Sequence, residues 1–137
     1  MGQQQLLLIV LSVIIVGIAV VVGINMFGAS AASANLEAVT NDLLNLSAMA
    51  QQYYVKPASM GGGGNSFTGL TANEAGIKIL TSKPGNDNGV YTITTAGTDS
   101  NVVIQGVGKQ DGDADGTKCT VKVTVYNNRI KTVVDNR

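Results

Sequence analysis

Residues 6–24 form an uninterrupted run of nineteen residues that carries no charge, and the run begins close to the start of the chain. Ser12 supplies the only hydrogen-bonding side chain within it. A helix needs about 20 apolar residues to cross about 30 Å of hydrocarbon, because each residue advances it by roughly 1.5 Å. The run therefore predicts a helix that inserts into a membrane, and it is longer than an ordinary soluble core helix requires.

A second apolar pattern follows this run, and its members alternate spacings of three and four residues. They are Leu36, Val39, Leu43, Leu46, Ala50 and Tyr53. Such spacing predicts an amphipathic helix with one buried face. Residues 28–34, between the two patterns, are small and include no proline. We predict a single helix from about Gln3 to Tyr54, ended by Pro57 because proline lacks an amide donor and restricts the residue before it.

Beyond Pro57 the pattern changes twice. The four glycines at residues 61–64 predict a flexible connection, and residues 71–75 predict one helical turn capped by Thr71.

The remaining sequence alternates with a period of two, which is typical of strands. Strands are predicted over residues 77–80, 90–95, 102–107, 118–126 and 130–134. In the fourth strand Cys119 shares the inward phase with three valines, which predicts a buried thiol, and Asn127 and Asn128 predict a two-residue hairpin turn.

Short connections between these strands favour an antiparallel sheet, since parallel strands need long crossovers. The predicted fold class is α+β, with a long N-terminal hydrophobic helix packed on a C-terminal antiparallel β-sheet. Four segments are expected: a hydrophobic membrane or filament-core helix at residues 1–28, its amphipathic continuation at 29–55, a glycine-rich connecting loop at 56–76 and the sheet at 77–137. A sheet of this size has a small core, so neighbouring subunits are an expected source of stability.

Composition argues against two classes of function. Nine basic and nine acidic residues balance and form no basic patch, so nucleic acid is not an expected partner. The chain contains no histidine, and Cys119 has no recognisable base near it in sequence. The glycines at 61–64 precede no lysine followed by serine or threonine, unlike a phosphate-binding loop. The sequence therefore predicts a protein that is not an enzyme.

The one pattern with ligand chemistry is an aspartate-rich loop at residues 111–116. Asp111, Asp113 and Asp115 alternate with small residues and precede a glycine, as in the opening of a calcium-binding loop. Lys122 stands at the twelfth position, where a bidentate glutamate would complete the coordination. These aspartates are the expected ligands if calcium binds, and no other cofactor is expected. Aspartate and glycine are also ordinary turn residues, so a solvated hairpin loop remains the alternative.

A hydrophobic N-terminal helix, its amphipathic continuation, a glycine-rich loop and a C-terminal antiparallel sheet together resemble the type IV pilins, including archaeal pilins and pseudopilins. The sequence itself resembles them at the N-terminus, over Gly2, three glutamines and the apolar run. That family is cut by a prepilin peptidase after a glycine, so the resemblance implies processing between Gly2 and Gln3. Members of the family usually carry a glutamate near the start of the mature chain. The two candidate positions here, Gln5 and Leu7, are not acidic.

The resemblance implies a structural subunit of a helical extracellular filament. Its partners would be identical subunits, the inner membrane before assembly, the pilus assembly machinery and the peptidase. Assembly contacts are expected along Gln5, Leu6, Leu7 and Val13. Gly17 and Gly23 are expected where the helix loosens inside a filament.

Three alternatives remain open. The chain could be a single-span anchor that displays a small β binding domain, or a pseudopilin of a type II secretion system. Residues 32–34, Ala-Ser-Ala, also match a signal peptidase site. The apolar run is longer than the usual core of 7 to 15 residues in a signal peptide, which argues against cleavage there.

Overall fold

One helix, α1 (Gly2–Val55), contains both the uncharged run and the amphipathic stripe. The computed structural model describes residues 2–112 and 115–137. With 54 residues, α1 is about 80 Å long at 1.5 Å per residue. It ends where Pro57 was expected to end it, and a short 3₁₀ turn (Ala58–Met60) follows. The predicted single helix is therefore present.

The glycine-rich segment after α1 makes hydrogen bonds to the end of that helix, which argues against the predicted flexible connection. The amides of Gly63 and Asn65 each donate to a helix carbonyl at 2.7 Å, those of Tyr53 and Tyr54. Carbonyls in the last turn of a helix lack partners within it, and these amides satisfy them. A Cβ on Gly63 would lie 1.9 Å from the carbonyl oxygen of Ser66, so this close approach requires glycine.

A short helix, α2 (Glu74–Leu80), occupies the place where a strand was predicted over residues 77–80, and that prediction is wrong. Its N-cap is Asn73, whose Oδ1 accepts the amide of Gly76 at 3.0 Å. The predicted cap, Thr71, instead donates its hydroxyl hydrogen to Asn73 Oδ1 at 2.7 Å. Four residues of alternating character fit a helix as well as a strand, and the cap decides between them.

Four strands form one antiparallel sheet whose spatial order follows the chain. They are β1 (Gly89–Thr95), β2 (Asn101–Gly108), β3 (Thr120–Tyr126) and β4 (Ile130–Asn136). Residues 127–129 connect β3 to β4 with Asn127 and Asn128 at the turn, and the amide of Tyr126 donates to the carbonyl of Arg129 at 2.9 Å. The predicted hairpin is present, although neither asparagine has the positive φ that favoured them.

Helix α1 packs its amphipathic stripe on β2 and β3, and α2 packs on β1. The core contains side chains from both layers: Val39, Leu43, Leu46, Ala50, Val102, Ile104, Val121, Val123 and Val125. Tyr91 and Ile93 of β1 also belong to it, as do Phe67, Leu70 and Ile77 from the segment between α1 and the sheet. Cys119 is buried, as its phase predicted. The α+β fold class is therefore confirmed, and we call residues 56–137, which pack on the second half of α1, the head.

Candidate functional site

The largest uncovered feature of the molecule is the first half of α1. Every residue from 6 to 24 is exposed, and the aliphatic side chains there keep about half or more of their surface accessible. An 18-residue window has a mean hydropathy of 3.3, and none of that window is buried. Among the described residues this is the one helix long and apolar enough to cross a membrane. Its backbone donors and acceptors are satisfied within the helix, which the bilayer interior requires.

The one polar side chain in this surface, the hydroxyl of Ser12, is hydrogen-bonded. Its hydroxyl donates to the carbonyl of Leu8 at 2.7 Å, one helical turn earlier. Such a bond within one helix leaves the hydroxyl without need of a water partner. The uncharged surface is therefore compatible with hydrocarbon over its whole length.

The structure places all the predicted assembly residues on this exposed half of α1. Leu6, Leu7 and Val13 are each more than 60% exposed, and Gln5 is exposed beside them. A Cβ added to Gly17 or Gly23 would meet nothing within 4 Å, and α1 is helical through both. Loosening inside a filament stays a prediction. Gly2 and Gln3 form the exposed first turn of α1, where the resemblance implies processing.

The aspartate loop joins β2 to β3, and its described carboxylates accept backbone hydrogens. Asp111 Oδ2 accepts the amide of Gly116 at 2.7 Å, and Asp115 Oδ1 accepts the amide of Thr117 at 2.7 Å. Asn136 of β4 also donates to Asp115, at 3.2 Å to Oδ2. Asp113 lies outside the described residues. Across residues 2–112 and 115–137, no group of three or more His, Cys, Asp or Glu could hold a metal ion.

Sequence reasoning missed a polar cluster that fixes the head to α1. Oδ2 of Asp42 accepts hydrogen bonds from Asn86 and Asn88, both at 2.9 Å, and from the hydroxyl of Tyr91 at 2.5 Å. Asn35 lies two turns earlier on the same face of the helix. Its Nδ2 donates to the carbonyl of Asn88 at 2.8 Å. The sequence signal for this cluster is the pair Asn35 and Asp42, two polar residues seven positions apart beside the apolar stripe of α1.

Two pKa values shift in this cluster. Partial burial alone would raise the pKa of Asp42, but the hydrogen bonds from Asn88, Tyr91 and Asn86 outweigh it and hold that pKa below its ordinary value. Burial, together with the bond to the Asp42 carboxylate, raises the pKa of Tyr91 well above its ordinary value. Both shifts favour an ionised Asp42 that accepts a hydrogen bond from a neutral Tyr91, and this pair stabilises the fold.

Two features stand out among the described residues. One is an uncharged helix surface that none of them covers, and the other is a set of carboxylates that bind backbone amides or neighbouring side chains. No protein-family model matches this chain, and neither a curated protein nor a solved structure matches it.

Proposed function

We propose that this protein is the structural subunit of a helical, type IV pilus-like filament assembled through its N-terminal helix. One observation carries the proposal: α1 joins an uncovered, uncharged surface of about 28 Å to a folded head without a break. Burying each large aliphatic side chain contributes about 1.5 to 3 kcal/mol relative to water. This surface must therefore lie in lipid or against other protein.

The same side chains serve both environments in turn. Before assembly the apolar half of α1 holds the subunit in the inner membrane, and in the filament it packs against copies of itself at the cell surface. The head moves with the helix, because Val39, Leu43 and Leu46 of α1 pack in one core with the head. A prepilin peptidase acting between Gly2 and Gln3, and a pilus assembly machinery, are the partners that the resemblance adds.

A single-span anchor is the principal alternative, since the same helix could hold the head on a membrane without polymerising. The two functions respond differently to one buried charge. A filament packs Val13 among neighbouring helices, where an unpaired carboxylate costs several kcal/mol. An anchor needs only the summed hydrophobicity of the span.

The test is imaging of the purified full-length chain after detergent removal. We expect filaments from the parent and from Val13→Leu, and none from Val13→Asp. A second variant replaces residues 6–24 by an unrelated apolar span of equal length, and we expect it to reach the membrane without forming filaments. Abundant filaments from the replaced span would overturn assembly through this helix. A parent that forms no filaments would overturn the proposal in favour of the anchor.

A further inference from the structure

The sheet extends one strand beyond the helix that covers it. Helix α1 lies over β2 and β3, and α2 lies over β1 at the opposite edge. A helix is about 10 Å wide and strands are about 4.8 Å apart, so one helix covers about two strands. All residues of β4 except Asn136 are exposed. The fourth strand therefore has no helix of its own above it.

The side of β4 that faces the helix layer is largely apolar. Ile130, Thr132 and Val134 pair with Val125, Val123 and Val121, whose side chains are in the core. Residues directly opposite each other in an antiparallel pair share a face of the sheet. Ile130 and Val134 nevertheless stay 36% and 43% exposed. They form an uncovered apolar strip along the edge of the sheet, and we call this strip, together with the flank of α1 beside it, the β4 groove.

The wall of the β4 groove is the flank of α1. At one end Gln51 Nε2 donates to the carbonyl of Tyr126, where β3 turns into β4. At the other end Leu36, Cys119 and Arg137 line a cleft of about 230 Å³. Leu44 lies between these ends, on the same helix face as Gln51, and is 40% exposed. From residue 33 to residue 51 the wall is about 27 Å long.

We infer that the β4 groove receives the apolar half of α1 from a neighbouring copy of this chain, an inference that rests on the proposed filament. The occupant must be long and apolar over most of its length, because Leu36, Leu44, Ile130 and Val134 supply no charge to bind. The charged groups beside them, Glu37 and Arg137, both lie toward the Leu36 end. Residues 6–24 are such a segment: they are uncharged, helical, fully uncovered and about 28 Å long, which matches the groove. They extend away from their own head along a continuous helix, so they reach the groove of another copy and not their own.

Adjacent valines of β4 provide a matched pair for the test. Val134 faces the groove and is 43% exposed, while Val133 faces the opposite side of the sheet and is 46% exposed. Full-length Val134→Cys and Val133→Cys proteins are labelled with a maleimide, in detergent and as filaments, and the parent measures background from the buried Cys119. We expect assembly to slow labelling at position 134 by at least about tenfold and at position 133 by less than about twofold, since a packed helix excludes the reagent.

Charge substitutions give a second measurement. We expect Val134→Asp to abolish filaments and Val133→Asp to retain them, with both proteins folded in detergent like the parent. Filaments in which both positions label at the same rate, or in which position 133 alone is protected, would overturn this inference and leave the proposed function standing. A strand from a neighbour pairing with the edge of β4 would protect both faces alike and also overturns it. A parent chain without filaments would overturn both.

Discussion

The hydroxyl of Tyr91 in β1 donates a 2.5 Å hydrogen bond to Oδ2 of Asp42 in α1, and this bond crosses from the sheet to the helix that carries the membrane-length run. Asn86 and Asn88 bind the same oxygen atom. An ionised carboxylate is a strong hydrogen-bond acceptor because of its charge. Hydrogen bonds to it contribute more to the stability of the fold than hydrogen bonds between neutral groups. The contact therefore fixes how the head sits on α1.

Removing the Tyr91 hydroxyl tests that contact. We expect Tyr91→Phe to lower the free energy of unfolding of the head by about 1 to 2 kcal/mol, because the carboxylate loses one of its donors. The measurement is thermal unfolding of the full-length chain in detergent, followed by near-ultraviolet circular dichroism. Tyr126→Phe is the control and should change stability by less than about 0.5 kcal/mol. Equal losses in the two variants would contradict a specific role for Tyr91.

The two shifted pKa values predict a pH range of maximal stability. The pKa of Asp42 is lower in the folded head than its ordinary 3.8, so its stabilisation is complete above that value and is lost as the pH falls below about 4. The pKa of Tyr91 is raised above its ordinary 10.0, so its stabilisation is complete below 10.0 and is lost as the pH rises further. Unfolding midpoints measured between pH 3 and about 11 should fall at both ends.

Each end of that profile has its own control. Asp42→Asn should flatten the acid limb, and Tyr91→Phe should flatten the alkaline limb. An alkaline limb unchanged by Tyr91→Phe would assign the loss of stability to another group.

Gly63 and Gly28 should respond differently to alanine, because their surroundings differ. A Cβ at Gly63 would meet the Ser66 carbonyl at 1.9 Å and the Tyr53 ring at 2.9 Å, so Gly63→Ala should destabilise the head by at least about 2 kcal/mol. Gly28→Ala is the matched control, because nothing lies within 4 Å and alanine favours a helix by about 0.5 to 1 kcal/mol. Similar unfolding midpoints for the two variants would support the flexible connection.

Calcium titration tests the aspartate loop. We expect millimolar calcium and excess chelator to give the same unfolding midpoint, because the Asp111 and Asp115 carboxylates already bind backbone amides. A ligand that binds only the folded state would raise the midpoint by mass action. Asp111→Ala should itself cost about 0.5 to 1.5 kcal/mol, since the Gly116 amide loses its acceptor. A midpoint that rises with calcium and returns with chelator would instead support an ion site.

Periodicity in the sequence was sufficient to predict α1, the four strands and the contact between them. The stripe from Leu36 to Tyr53 and the alternation through Val121, Val123 and Val125 each mark one buried face, and two such faces cover each other. The same periodicity failed over residues 77–80, because four residues are too few to separate a period of 3.6 from a period of two. There the cap at Asn73, whose Oδ1 accepts the amide of Gly76, determines the helix.

The candidate sites were predictable only where they depend on composition. Residues 6–24 stand out because every one lacks charge, whatever the tertiary structure. Asp42 and its donors stand 44 to 49 positions apart, so no local pattern connects them. The role of Gly63 likewise depends on which carbonyls the end of α1 leaves without partners. The β4 groove exists because two helices cover only three of the four strands. Which strand is left uncovered depends on the order of strands in the sheet, and the sequence alone does not give that order.

The unbroken course of α1 has a mechanical consequence. In the proposed filament, tension along the filament axis would be carried by the helix backbone from Gly2 to Val55 and would reach the head only as shear between α1 and the sheet. The hydrogen bonds of Asn35 and Asp42 cross that shear plane, and the packed valines beneath them resist sliding. A pulled filament would therefore strain these side-chain contacts before it strained any strand pairing within the sheet.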